Sequence, residues 1–240
     1  MSNPSAAIIV IGDEILSGRT RDSNMHFLAR ALTRAGIDLR EARVVADRSG
    51  DIVAAVNETR ARVDHVFTSG GIGPTHDDIT ADAIAAAFGV GIGERADALA
   101  ILAAHYASRG SDFTDARRRM ARIPEGARLI ENPVSAAPGF SLGNVHVMAG
   151  VPSVFEAMVA SVLPGITGGR PLLSQTWRIL RGEGEIAGEL GRLADDYADL
   201  SIGSYPFHRE GIFGTSVVVR GENGPRVAEA VARLAALYPA

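Results

Sequence analysis

The chain contains no cysteine, which excludes disulfides, thiolate zinc sites and cysteine nucleophiles. Aromatic residues make up only 5% of it, so its core must be built mainly from Val, Ile, Leu and Ala. No apolar run approaches the length needed to span a bilayer. Met1-Ser2-Asn3-Pro4-Ser5 lacks the basic start of a signal peptide. A soluble cytoplasmic protein without a membrane partner is the expectation. Broad basic surface is missing too: 24 basic and 28 acidic residues are interspersed and leave a net charge of −4. That argues against a duplex nucleic acid partner. At 240 residues, one large domain with a small one behind it is expected.

What is present centres on Thr68-Ser69-Gly70-Gly71-Ile72-Gly73-Pro74-Thr75-His76-Asp77-Asp78-Ile79-Thr80. The apolar run His65-Val66-Phe67 before it reads as a buried strand. Ala81 to Ala87 after it reads as a helix ended by Gly89. Three glycines let the backbone turn sharply and approach a ligand without Cβ atoms in the way. Their N–H groups and the helix start suit a phosphate, and adjacent carboxylates suit a hard divalent cation. A plain strand-to-helix turn capped by Asp accounts for the same residues without a ligand. The combination of glycines, hydroxyls and paired acids favours a site.

Ala6 to Ile11 is continuously apolar and β-branched, as in a strand buried on both faces. It runs into Gly12-Asp13-Glu14-Ile15-Leu16-Ser17-Gly18. A helix then carries Met25, Leu28, Ala31 and Leu32 inward and stops at Gly36. Ile37 to Val45 is the next strand, with Asp47 at its carboxyl end, and a helix from Ser49 or Asp51 buries Ile52, Val53, Ala55 and Val56. Three strand–loop–helix units in succession predict an α/β fold with a mostly parallel sheet covered by helices. Ligands bind beyond the carboxyl ends of such strands, where Asp13, Asp47 and Asp78 all fall.

Later, Arg95 to Arg109 is a helix with Leu99, Leu102 and Ala103 inward, and Thr114 to Ala121 a short basic helix. Gly143-Asn144 between two apolar runs predicts a hairpin. Pro152 suits the first turn of a helix that buries Val154, Phe155, Met158 and Val159. Thr167 to Pro171 reads as a domain boundary. Residues 171–240 then follow a β-α-β-β-α order, a small α+β layer.

These residues resemble the molybdopterin-binding superfamily and, within it, the amino-terminal domain of CinA-type competence/damage-inducible proteins. Ile11 to Gly18, Ser23-Asn24, Thr68 to Thr80, Ala137-Pro138-Gly139-Phe140 and Gly150-Val151-Pro152-Ser153 carry the likeness. Ser204-Tyr205-Pro206 is similar to a hallmark of the small domain behind it. The resemblance implies a three-layer molybdopterin-binding-type domain at 1–170 and a small KH-like α+β domain at 171–240. It further implies a metal-dependent pyrophosphatase acting on ADP-ribose or a similar nucleotide. The alternative is an adenylyltransferase-like or non-catalytic molybdopterin or nucleotide binder. Relatives form dimers and trimers, so a homo-oligomer is expected.

On the same grounds Asp47 and Asp78 are the expected ligands of Mg²⁺, Mn²⁺ or Co²⁺, with Asp77 a further catalytic carboxylate. Gly70, Gly71 and Gly73 would offer backbone N–H groups to the phosphates, and Ser69 and Thr75 hydroxyls. Gly12, Asp13, Glu14, Ser17, Asn24, Pro74, Pro138, Gly139, Gly150 and Pro152 complete the implied nucleotide or pterin pocket. Asp13 and Glu14 equally suit the first turn of a helix, and His76 reads as a solvent-facing loop residue. The sequence departs from the family at Asn132 to Gly139, with Val and Ser-Ala where Gly-Thr-Ala usually precedes Pro-Gly. Met148-Ala149-Gly150 likewise stands where Leu-Pro-Gly is commoner.

Overall fold

The computed structural model describes residues 3–209 and 211–239. The chain divides into two compact units, 1–169 and 170–240.

The first unit is a six-stranded mixed sheet between two layers of helices. In chain order its elements begin with β1 (Ser5–Ile11), α1 (Asp13–Leu16), α2 (Asn24–Ala35), β2 (Asp38–Val45) and α3 (Ser49–Arg60). Next come β3 (His65–Ser69), α4 (Thr80–Phe88), β4 (Ile92–Glu94), α5 (Ala96–Ser108) and α6 (Asp115–Arg118). Then β5 (Arg122–Pro124), β6 (Arg128–Ile130), β7 (Gly139–Leu142), β8 (Val145–Met148) and α7 (Pro152–Val162) complete it.

The sheet order is β2-β1-β3-β8-β7-β6. The first four strands run parallel, while β7 and β6 are antiparallel to their neighbours. All seven residues of β1 are buried, because alternate side chains feed two separate cores. Ile9 and Ile11 join Ile52, Val56, Ile84 and Leu102 on one face. Ile8 and Val10 join Leu28, Leu32, Phe155 and Met158 on the other. From β1 the chain crosses to β2 on one side, and β3 lies on the other. The strand order therefore reverses between β1 and β3, and such folds bind ligands at that point.

Several local expectations need correction. Met25 is exposed and its neighbour Asn24 is buried, because Asn24 is drawn in by long-range hydrogen bonds that no periodicity reveals. On α5, Ala98 is buried with Leu102 while Ala103 is exposed. The expected helix over 114–121 is split into α6 and a 3-10 turn at Arg119–Ala121; β5 follows directly and pairs antiparallel with β4.

The second unit contains β9 (Leu173–Ile179), α8 (Glu183–Asp196), β10 (Ser201–Arg209), β11 (Ile212–Gly221) and α9 (Gly224–Leu237). Its sheet is antiparallel, in the order β10-β11-β9. Ile179, Val217 and Val219 pack with Ile186, Leu193, Val227 and Leu234 from the two helices. It is a small α/β domain with both helices on one face of the sheet.

Candidate functional site

A cleft of about 560 Å³ opens where the loops after β1, β2, β3 and β8 meet the loop before β7. The floor is the turn after β3. Gly70 has φ +111° and Gly71 φ +70°, a left-handed region that side chains other than hydrogen rarely adopt. A Cβ on Gly70 would lie 2.2 Å from the Ile11 carbonyl oxygen, and one on Gly71 would lie 2.1 Å from Thr80 Oγ1. These glycines are required by the chain's own close packing as well as by the shape of the cleft. The turn is tied at both ends: Gly70 N–H donates to Met148 O at 3.0 Å, and Thr80 N–H to Gly71 O at 2.9 Å. The N–H groups of Gly71, Ile72 and Gly73 make no hydrogen bond to a described residue. Thr80 Oγ1 is buried beside them, also without a partner.

Of the residues implicated by sequence, Glu14, Asp47, Gly70, Gly71, Gly73, Pro74, Asp77, Asp78, Gly150 and Pro152 line the cleft. Asp47 is half-buried, and its Oδ2 accepts the Asp13 N–H at 2.8 Å. Burial raises the Asp47 pKa, the Asp13 N–H opposes that, and the charges of Glu14, Asp13 and Asp77 add to the rise. Asp78 Oδ2 accepts both the N–H (2.8 Å) and the hydroxyl (2.5 Å) of Thr75. The two expected metal ligands are thus each held by one oxygen.

The other implicated residues stand outside the lining and support it. Gly12 N–H donates to Val45 O at 3.1 Å, linking the first two loops. Asp13 contributes its backbone to Asp47, as a first-turn acid of α1. Ser17 is exposed, and its hydroxyl donates to Glu14 O. Asn24 Nδ2 donates to Ser69 Oγ and to Gly150 O, each at 2.8 Å. That side chain pins α2, the end of β3 and the loop after β8 together. Its orientation is assigned by Gly150 O, which can only accept. Thr75 is spent on Asp78. Pro138 borders a smaller hollow with Asp78, Arg119 and Arg122. A Cβ on Gly139 would meet Val147 O at 2.4 Å, so that glycine serves strand packing. His76 is 98% exposed and faces solvent.

Sequence reasoning missed Thr20, Ile72, Met120 and Val151 in the lining. Met120 comes from the 3-10 turn after α6, and nothing local ties it to this cleft. Asn132, in the departing loop, is buried and saturated. Its Oδ1 accepts Val134 and Ser135 N–H, and its Nδ2 donates to Ser135 Oγ and Ala137 O. This clamp holds Ala136 at φ +61°, where glycine is the easier residue.

Residues 7–168 match the family model described as "Probable molybdopterin binding domain". The chain belongs to that family. Residues 171–240 match the model described as "FAD synthase, middle domain". A protein of Archaeoglobus fulgidus is 34% identical over 199 residues, covering 83% of this chain and 84% of that one. One of Aeropyrum pernix is 39% identical over 177 residues, and the match spans 72% of this chain but only 64% of that protein's length. Among solved structures, the protein CinA of unknown function from Thermoplasma acidophilum matches at 36% identity and TM-score 0.62. It covers 68% of this chain and 97% of its own. The molybdopterin-binding-type, CinA-like fold read from the motifs is therefore established for the first unit. No described helix is long and apolar enough to cross a membrane.

Proposed function

We propose that the chain binds a phosphorylated pterin or nucleotide in the cleft at the carboxyl edge of the first sheet. The observation that carries this reading is the turn after β3, with three unpaired N–H groups at Gly71, Ile72 and Gly73 lining the same cavity. Such a set of donors suits phosphate oxygens, and Ile72, Met120 and Val151 supply apolar surface for a flat ring.

Glu14, Asp47, Asp77 and Asp78 share that cavity, and their field repels a bare phosphate. Among the described residues no group of three or more His, Cys, Asp or Glu forms a metal cage. The donor set fits a different kind of ion, one held by one or two carboxylates and completed by ligand phosphates and water, as Mg²⁺ commonly is. Asp47 and Asp78 would hold it through the oxygens that Asp13 and Thr75 leave free. Such an ion supplies charge neutralisation and polarises a phosphoryl group. The crowded acids around Asp47 favour a second reading on the same site, hydrolysis of a nucleotide pyrophosphate such as ADP-ribose. There the chain's part is to orient the phosphates on the turn while Asp47 and Asp78 would hold the ion beside them.

Calorimetric titration with ADP, ADP-ribose and molybdopterin, with and without Mg²⁺, tests the binding reading, and product mass tests the chemistry. Saturable binding strengthened at least about tenfold by Mg²⁺, or about 1.4 kcal/mol, and weakened by Asp47→Asn is expected. AMP from ADP-ribose supports hydrolysis, and pyrophosphate released from ATP with molybdopterin supports adenylyl transfer. Binding without product leaves a binding protein, and no binding of any of the three overturns the proposal.

A further inference from the structure

The second unit presents a bare sheet face of unusual chemistry. Its two helices cover the side that carries Ile179, Val217 and Val219. The alternate positions of β9, β10 and β11 point the other way. On that side Tyr205 and Phe207 sit two residues apart on β10, at a spacing of about 7 Å along the strand. The Tyr205 ring lies back over Gly203, and the tip of the Phe207 ring over Gly214. A Cβ on Gly203 would lie 3.3 Å from Tyr205 Cε2, and one on Gly214 2.9 Å from Phe207 Cζ. Gly203 thus leaves room for the Tyr205 ring, which remains 50% exposed. Gly214 is required first by the Ile179 carbonyl oxygen, 2.3 Å from its Cβ position, and leaves room for Phe207 besides.

Arginines frame the rings. Arg178 is in the same cross-strand row as Tyr205, with Ser216 between them. Arg220 is central in the row flanked by Ser201 and Ser174, and Arg209 lies two residues beyond Phe207. All three are exposed and none forms an ion pair with a described residue. No carboxylate occupies the described positions of this face, although the whole chain is acidic. Every basic residue in the chain is arginine, whose planar guanidinium pairs with phosphate and stacks on rings.

We propose that this face binds single-stranded nucleic acid, with bases stacked on Tyr205 and Phe207 and phosphates held by Arg178, Arg209 and Arg220. Flat aromatic faces on an open sheet accept unpaired bases of any sequence, and a local cationic frame tracks the backbone. A duplex presents no free base faces and is not a partner. The face belongs to the second unit, and the proposal rests on that unit alone.

Fluorescence anisotropy of the full chain with labelled U12 and dT12 oligonucleotides at low and moderate salt tests the proposal. Saturable binding that weakens with salt is expected, with a blunt duplex of the same length binding less. Tyr205→Ala should weaken binding about 5- to 100-fold, while Tyr205→Phe, which keeps the ring, should bind like the parent. Exchanging Arg178 and Arg220 together for Gln should lower the slope of log affinity against log salt by about 1.4. Tyr205 lies outside the buried cluster of its unit, so circular dichroism and Trp177 fluorescence of the variants should match the parent. Absence of binding at low salt would overturn the proposal, as would equal affinity of Tyr205→Ala. A dimer that Tyr205→Ala dissociates, without oligonucleotide binding, would assign the face to a second copy and also overturn it.

Discussion

Replacing Gly70 by alanine is expected to cost about 4 kcal/mol of folding stability and to abolish the ligand binding proposed for the cleft. Two effects combine. The residue sits at φ +111°, strain of order 1–3 kcal/mol for a side chain. Its Cβ would also stand 2.2 Å from the carbonyl oxygen of Ile11, which is β1 backbone and cannot swing aside. Gly150 offers no escape on the other side, since a Cβ there would lie 3.3 Å from Gly70 Cα. Gly89→Ala separates the two effects. Gly89 has φ +65° with nothing within 4 Å of its Cβ position, so it should lose only about 1 kcal/mol. Urea midpoints of the two variants check this. Equal losses would show that the turn is not wedged against β1.

The second large effect is acid sensitivity from a site on the same sheet, away from the cleft. His146 on β8 is buried, with Nδ1 2.9 Å from Ser141 Oγ and Nε2 3.3 Å from His65 Nδ1. Burial first, then the charges of His65 and Arg128, push its pKa from 6.5 down to about 4. Burial lowers His65 as well, against the pull of Asp64. Between these pH values the unfolded chain binds protons that the folded chain refuses. Stability therefore falls as pH drops from about 6.5 towards 4, and the His146 contribution is fully lost below that. The lost contribution is about 3 kcal/mol for His146 at 1.36 kcal/mol per unit. Urea denaturation at stepped pH should show that slope, and His146→Gln, which keeps a partner for Ser141, should flatten it. An unchanged slope would place the acid sensitivity elsewhere.

How far the sequence could be read depended on whether the cause of each feature was local. The run Ile8 to Ile11, the Gly143-Asn144 hairpin and Pro152 at the start of α7 were legible because strand burial, turn chemistry and the first helical turn act over a few residues. The turn at Gly70 to Thr80 was legible as well, together with its place at a strand end. Asn24 was not legible as a buried brace, since its partners Ser69 and Gly150 lie 45 and 126 residues away. The β4–β5 pair was invisible because three-residue strands show no period. Glu14 and Asp13 looked interchangeable, yet only Glu14 reaches the cleft lining, and Asp13 acts through its backbone. The β-α-β-β-α order of the second unit was readable, while its match to a FAD synthase middle domain was not.

The measurement closest to the central claim is amide chemical-shift mapping during titration with ADP or molybdopterin in the presence of Mg²⁺. The N–H groups of Gly71, Ile72 and Gly73, with those of Gly150 and Val151 across the cleft, should shift together and saturate at one ligand. Shifts confined to other regions, such as the cavity bordered by His65 and His146, with the turn after β3 unmoved, would contradict it.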